Sequence, residues 1–265
     1  MRFEVLGPLR LADRNRVTVV GPPRVQAVLA VLLIRAGELV TRDQLIAEIW
    51  ADDPPRRATA ALQVYVSQLR KILAAAGFPA GTVVTHQAGY VLHKGAHECD
   101  ADIVLRLAAN GRVLSRHRRY PEAIGALEGA LSLWHGPVLG GLRAGHLVDG
   151  FVTRLEETRM ACLETLIDCR LASGLHRELV GPLHSIVAEH PTRETFHRQL
   201  MIALYRSDRQ ADALNVYHLA RKTLDDQLGV RPGRMLQRVQ QAILRADDEL
   251  LATCHAGGSE WTESA

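Results

Sequence analysis

Arg56, Arg57, Gln63, Ser67, Arg70 and Lys71 lie close together in the 265-residue chain, and helical spacing gathers them on one side of a helix, with the small residues Ala60 and Val64 between them. Long donors set among small residues let a helix enter a major groove, where Arg and Gln reach base edges and phosphates. The chemistry this set supports is recognition of a polyanion. No Asp or Glu occurs from Pro54 to His97, although 29 of the 265 residues are acidic. That stretch holds Arg56, Arg57, Arg70, Lys71 and Lys94 with His86, His93 and His97. Acids here would repel phosphate, so their exclusion fits a surface that faces nucleic acid; the alternative is a chance gap. The net charge of +3 hides the asymmetry: residues 1–95 carry 12 Lys and Arg against 7 Asp and Glu, the remainder 20 against 22.

Other chemistries find no residues to carry them. The sequence contains neither a nucleophile elbow nor a G-x-x-x-x-G-K phosphate loop, and its twelve histidines are scattered without HExxH spacing. Cys99, Cys162, Cys169 and Cys254 are dispersed without a CxxC pair, which predicts reduced thiols and no metal. Cys162 and Cys169, seven apart, are expected as small core residues on one helix face. The expectation is a protein that is not an enzyme and takes no cofactor. The longest apolar run, Ala27 to Ile34, is far short of the roughly 20 residues that cross a bilayer, so no membrane partner is expected. Met1-Arg2-Phe3 leads into strand-like sequence without a signal peptide, which predicts a cytoplasmic, nucleoid-associated protein.

The elements that must position the donors can be placed by period. With 47% apolar and only 5% aromatic residues, the cores are built from Leu, Val, Ile and Ala, and two domains of ordinary size are expected. Phe3, Val5 and Leu6, then Leu9 to Ala12, the turn Asp13-Arg14-Asn15 and Val17 to Val20 read as short antiparallel strands. Pro22-Pro23 opens a helix through Val25, Val28, Leu29, Leu32 and Leu33 up to Gly37. Thr41 precedes a second helix with Leu45, Ile46, Ile49 and Trp50 on one side, ended by Asp53-Pro54-Pro55. A third helix, from about Arg56 to Ala76, buries Leu62, Val66, Leu69 and Leu73, with the donors on its other side. Thr82 to Thr85 and Tyr90 to His93 form a hairpin around His86-Gln87-Ala88-Gly89. This order is a winged helix-turn-helix over residues 1–95, with His86 and Gln87 at the wing tip available to DNA.

After a linker at 96–102, residues 103–247 read as helices alone, broken at Gly111, Gly136-Pro137, Gly174, Pro191 and Gly229. Three of them open alike, at "RRYPEAI", "SGLHRELV" and "SDRQADAL". Leu179 and Ala213 are 34 residues apart, the tetratricopeptide (TPR) period, and Ala213, Tyr217 and Ala220 with Leu200 and Leu204 fit its small-aromatic-small pattern. An extra helix over Leu147 to Ala172 interrupts the series before it. The fold class is therefore mainly α: a winged helix with small sheets, then an all-α TPR-like domain, then a frayed tail at 248–265. Stacked helical hairpins ordinarily present a face to another protein.

"LGPL", "GPPRVQAVLAVLLIRAGELVTRDQLIAEIWADDPP", "LQVYVSQLRKIL" and "THQAGYVL" resemble the OmpR-type DNA-binding domain of the Streptomyces antibiotic regulatory protein (SARP) family. "ALEGALSLWHGPVLGGL", "RLEETRMACLETLIDCRLASG" and "VAEHPTRETFHRQLMIALYRSDRQADALNVYHLARKTLDDQLGVRPG" resemble the bacterial transcriptional activation domain that follows it in that family. Together the resemblance runs from Met1 to about Ala246. It implies a sequence-specific activator of an antibiotic or other secondary-metabolite gene cluster. It further implies a homodimer on promoter direct repeats, and contact between the loop Asp52-Asp53-Pro54-Pro55 and RNA polymerase near its sigma subunit. The residues alone leave repression open, and leave open an adaptor whose TPR-like half binds proteins while the basic half binds nucleic acid loosely. Preference for one duplex over random duplex, worth several kcal/mol in an activator, separates these readings.

Overall fold

The computed structural model describes residues 1–13, 16–51 and 53–247. Arg14 and Asn15 of the first expected turn, Asp52 of the expected polymerase loop, Cys254 and the tail at 248–265 lie outside the described residues. The chain forms two compact units, one of residues 1–108 with 129–160, the other of 109–128 with 161 onward. The fold is mainly α, with small sheets in its N-terminal part.

In the first unit, β1 (Arg2–Glu4), β2 (Arg10–Asp13) and β3 (Arg16–Val19) form an antiparallel meander in which Phe3 faces Leu11 and Leu11 faces Thr18. Helix α1 (Pro23–Ile34) begins on the proline pair and buries Val25 and every residue from Ala27 to Leu33, so it has no solvated face over that length. β4 (Val40–Thr41) leads into α2 (Arg42–Trp50), and α3 (Ala58–Ala75) packs against both α1 and α2. A 3-10 turn at Ala80–Thr82 enters the hairpin β5 (Val83–Thr85) and β6 (Gly89–Leu92), and β4 completes a sheet of order β4-β6-β5.

The stretch expected as a linker, 96–102, is instead built into this unit. β7 (Glu98–Cys99) pairs parallel to β1, and Asp100, 2% exposed, accepts hydrogen bonds from the backbone amides of Val5 at 2.9 Å and Leu6 at 3.1 Å. The amides just past β1 have no strand partner, and a carboxylate from the far end of the domain satisfies them. Burial pushes the Asp100 carboxyl up despite those bonds, and the buried Cys99 thiol rises to about 12. That thiol is protonated and inert.

Helix α4 (Asp100–Arg116) runs through Gly111, which was expected to break it. A Cβ at Gly111 would lie 2.6 Å from Leu127 Cγ on α5 (Tyr120–Leu131), so this glycine serves close helix packing and ends nothing. The segment that follows returns to the first unit: His135 and Leu139 donate their amides to the carbonyls of Leu6 and Val5, both at 2.7 Å. Trp134, Val138 and Leu139 join its core. The expected extra helix is α6 (His146–Ala172), 27 residues long.

The described residues of the second unit form helices joined by short turns, without a strand. α7 (His176–Glu189), α8 (Glu194–Tyr205), α9 (Gln210–Leu228) and α10 (Arg234–Arg245) surround a core in which α8 packs against the other three. Leu179, Leu200, Leu204, Ala213, Tyr217 and Ala220, the positions of the repeat pattern, are all buried. Gly229 ends α9 with a φ of 65°, a left-handed cap that glycine adopts without steric cost. Cys162 and Cys169 are buried on α6, and burial raises both thiols.

Candidate nucleic-acid interface

The donor face is assembled by three elements. Helix α2 starts on a capping box, with Thr41 Oγ1 accepting from the Gln44 amide at 3.2 Å and Gln44 Oε1 accepting from the Thr41 amide at 2.9 Å. At its other end the Arg24 guanidinium donates to the Ile49 carbonyl and lies 5.6 Å from the centre of the Trp50 ring. Glu48, also on α2, receives the Leu147 amide at 3.0 Å and so caps the start of α6. These bonds hold α2 at both ends, and Trp50 in turn meets Tyr65 of α3 at 5.9 Å.

On α3 the apolar stripe Leu62, Val66, Leu69 and Leu73 is buried as its spacing requires. Gln63, Ser67 and Lys71 form the exposed ridge with Ala60 and Val64, and Val64 is 53% exposed in its middle. Arg56 and Arg57 are exposed in the turn that enters the helix, and no side chain caps its start. The positive end of the helix dipole therefore adds to the two guanidinium groups at one end of the ridge.

Arg70 is placed differently. Its Nε and one terminal nitrogen donate to the Val83 carbonyl at 3.1 and 3.0 Å, and the same terminal nitrogen donates to Thr85 Oγ1 at 2.6 Å. It stands at the border of the ridge where β5 runs alongside, so its guanidinium binds the wing to the helix. That geometry makes it a positioning residue for the wing, with its other terminal nitrogen left for the DNA contact expected of it.

The wing tip is also fixed from below. Arg42 donates through a terminal nitrogen to the Gln87 carbonyl at 2.7 Å, and its amide donates to the Ala88 carbonyl at 3.1 Å. A Cβ at Gly89 would lie 1.9 Å from the Val40 carbonyl oxygen, so β6 approaches β4 closely only because residue 89 is glycine. His86 and Gln87 are exposed beyond these anchors. Sequence reasoning missed Arg42 and Arg24. A cue existed for Arg42: a cation in the first turn of a helix opposes the dipole, so its partner had to be elsewhere.

Asp53, Pro54 and Pro55 form an exposed connection between α2 and α3. Ala51, at φ 49°, and the Asp53 amide bonded to the Trp50 carbonyl at 3.2 Å turn the chain there. Among the described residues no group of His, Cys, Asp and Glu is arranged to hold a metal ion, and no helix is long and apolar enough to cross a membrane.

Comparison with known proteins adds two family matches: residues 17–92 to the transcriptional regulatory protein C-terminal family, and residues 99–244 to the bacterial transcriptional activator domain family. The chain is 39% identical to the regulatory protein AfsR of Streptomyces griseus over 94% of its own length, and spans about a quarter (25%) of that relative. It is 35% identical to the transcriptional regulatory protein MoaR1 of Mycobacterium tuberculosis, covering 92% of this chain and 79% of the relative. The solved structure of Mycobacterium tuberculosis EmbR, in complex with a low-affinity phosphopeptide, superposes with a TM-score of 0.87 at 34% identity, covering 97% of this chain and 69% of that one.

Proposed function

The chain belongs to the SARP family of transcriptional regulators, and from that premise we propose that it binds promoter DNA through α3 and the wing and activates transcription of a secondary-metabolite gene cluster. The observation that carries the DNA contact is the exposed, acid-free ridge Gln63-Ser67-Lys71 with Arg56 and Arg57 at its head. Gln63 and Ser67 face base edges in the major groove, while Arg56, Arg57 and Lys71 neutralise phosphates. His86 and Gln87 meet the adjacent backbone, and Arg70 sets the angle between wing and helix. The loop at Asp52, Asp53, Pro54 and Pro55 engages RNA polymerase near its sigma subunit, and two copies of the chain occupy direct repeats. This reading draws support from the family and from the exposure of Asp53, Pro54 and Pro55.

The test is binding of the purified chain to promoters from its own genomic neighbourhood and to random duplex, at two salt concentrations. A specific site preferred by about 10³-fold or more, footprinted over direct repeats, is the expected result. Equal weak binding to every duplex would sink the reading and transfer the function to the repeat helices as a protein adaptor.

A further inference from the structure

Residues 227–246 form a second stretch without Asp or Glu, and it lies in the other unit. It carries Arg231, Arg234, Arg238 and Arg245, all exposed. On α10 the offsets of Arg234, Arg238, Gln241 and Arg245 are 0, 4, 7 and 11, which places four long donors within one narrow stripe, opposite the buried Leu236, Val239, Ala242 and Ile243. Among the described residues none of the four arginines forms a hydrogen bond or ion pair through its side chain.

The other exposed helices of this unit mix their charges. α9 sets Arg221 and Lys222 beside Asp225 and Asp226, and α7 sets Arg177 beside Glu178. Helix stability does not account for the arginines of α10 either. Arg231 and Arg234 sit just before and at the start of the helix, where cations oppose the dipole, and the first turn holds no acid. Glu194 of α8 supplies the missing cap by accepting the Gly233 amide at 2.7 Å. Arg245 alone, in the last turn, is placed favourably for the dipole. Arg234 borders a cavity of about 460 Å³ that Glu164, Asp168 and Glu194 also line, so acids temper its charge. The field of the stripe therefore rests on Arg238 and Arg245, seven residues or about 10.5 Å apart along the axis.

We propose that the arginine stripe of α10 is a second phosphate-contacting surface, which adds sequence-independent affinity for double-stranded DNA to the sequence-reading contacts of α3. The proposal rests on the DNA-binding reading above. Two exposed guanidinium groups about 10.5 Å apart along a helix, neither held in an ion pair among the described residues, can contact successive backbone phosphates and release their counterions.

The experiment uses the full chain with Arg238→Gln and Arg245→Gln together, beside Lys71→Ala, on the specific site and on random duplex across a salt series. The double variant is expected to lose affinity equally for both duplexes and to flatten the log–log salt slope by about 1.8, at about 0.9 per phosphate contact, with an unchanged footprint. The variant with lysine at both positions keeps the slope, which separates loss of charge from damage to the fold. An unchanged slope in the glutamine variant, with Lys71→Ala still weakening binding, overturns this proposal and leaves the reading of α3 standing. Failure of the unmodified chain to bind any duplex overturns both. If the slope persists while activation by purified RNA polymerase is lost, the stripe faces an acidic protein surface and the proposal falls.

Discussion

Helices α3 and α10 are both free of acids and both carry a ridge of long donors, yet they are held in different ways. α3 is clasped on its buried side by α1 and α2 and tied at its border to a wing through Arg70, and the wing is anchored through Arg42. α10 is packed along its apolar stripe, and among the described residues its arginines form no side-chain hydrogen bond or ion pair. Reading bases needs donors fixed in position, because a displaced donor leaves a buried polar group unpaired. Attracting a backbone needs only charge at the surface. On the proposed reading, shape and support, more than charge, distinguish the surface that discriminates from the one that holds.

The sharpest break in that comparison is Gly89→Val. A side chain there collides with the Val40 backbone, so the wing sheet opens, with an expected loss of about 3 kcal/mol in urea unfolding and of footprinting altogether. Next comes Arg70→Ala. Removing the fork leaves the Val83 carbonyl and Thr85 without their donor, which costs about 2 kcal/mol. It should reduce preference for the specific site more than affinity for random duplex; equal losses would mean that Arg70 contributes only charge. Lys71→Ala should lower affinity for all duplexes alike and reduce the salt slope by about 0.9, with no change in unfolding. No change in slope would place the DNA-facing side of α3 elsewhere.

The smallest expected effect concerns the second unit and pH. His197 is buried, its ring nitrogen bonds the Pro191 carbonyl at 2.8 Å, and burial lowers its pKa from 6.5. Below about pH 6.5 the unfolded chain takes up this proton before the folded one, so stability is full above that pH and is lost as pH falls through the lower folded value. The slope is at most about 1.4 kcal/mol per pH unit, and His197→Gln should remove it from pH-dependent unfolding curves.

Much of this was legible in the residues. The stripe at Leu62, Val66, Leu69 and Leu73 sets which side of α3 is buried, and the observed bounds, Ala58–Ala75, fall within two residues of the expectation. The hairpin and the long helix before the repeats were equally plain from period and turn residues. Other features were not. Gly111 looks like a helix breaker unless Leu127 is known to lie against it. The stretch at 96–102 looks like a linker because strand β7 is only two residues long, and because the amides that Asp100 satisfies are about ninety-five positions away.

The sequence by itself determined the chemistry on offer: donors without acids, in two places, at helical spacing, with no nucleophile elbow and no G-x-x-x-x-G-K phosphate loop. Period is a local property, carried by neighbouring residues, so it survives in the string of letters. Only the tertiary structure decided which donors remain free. Arg70 and Lys71 are adjacent and alike in charge, but a strand thirteen residues further on takes the guanidinium of Arg70 and leaves Lys71 to the solvent. A side chain's partner is set by what the fold brings within 3 Å of it, and that proximity is not written at any spacing along the chain.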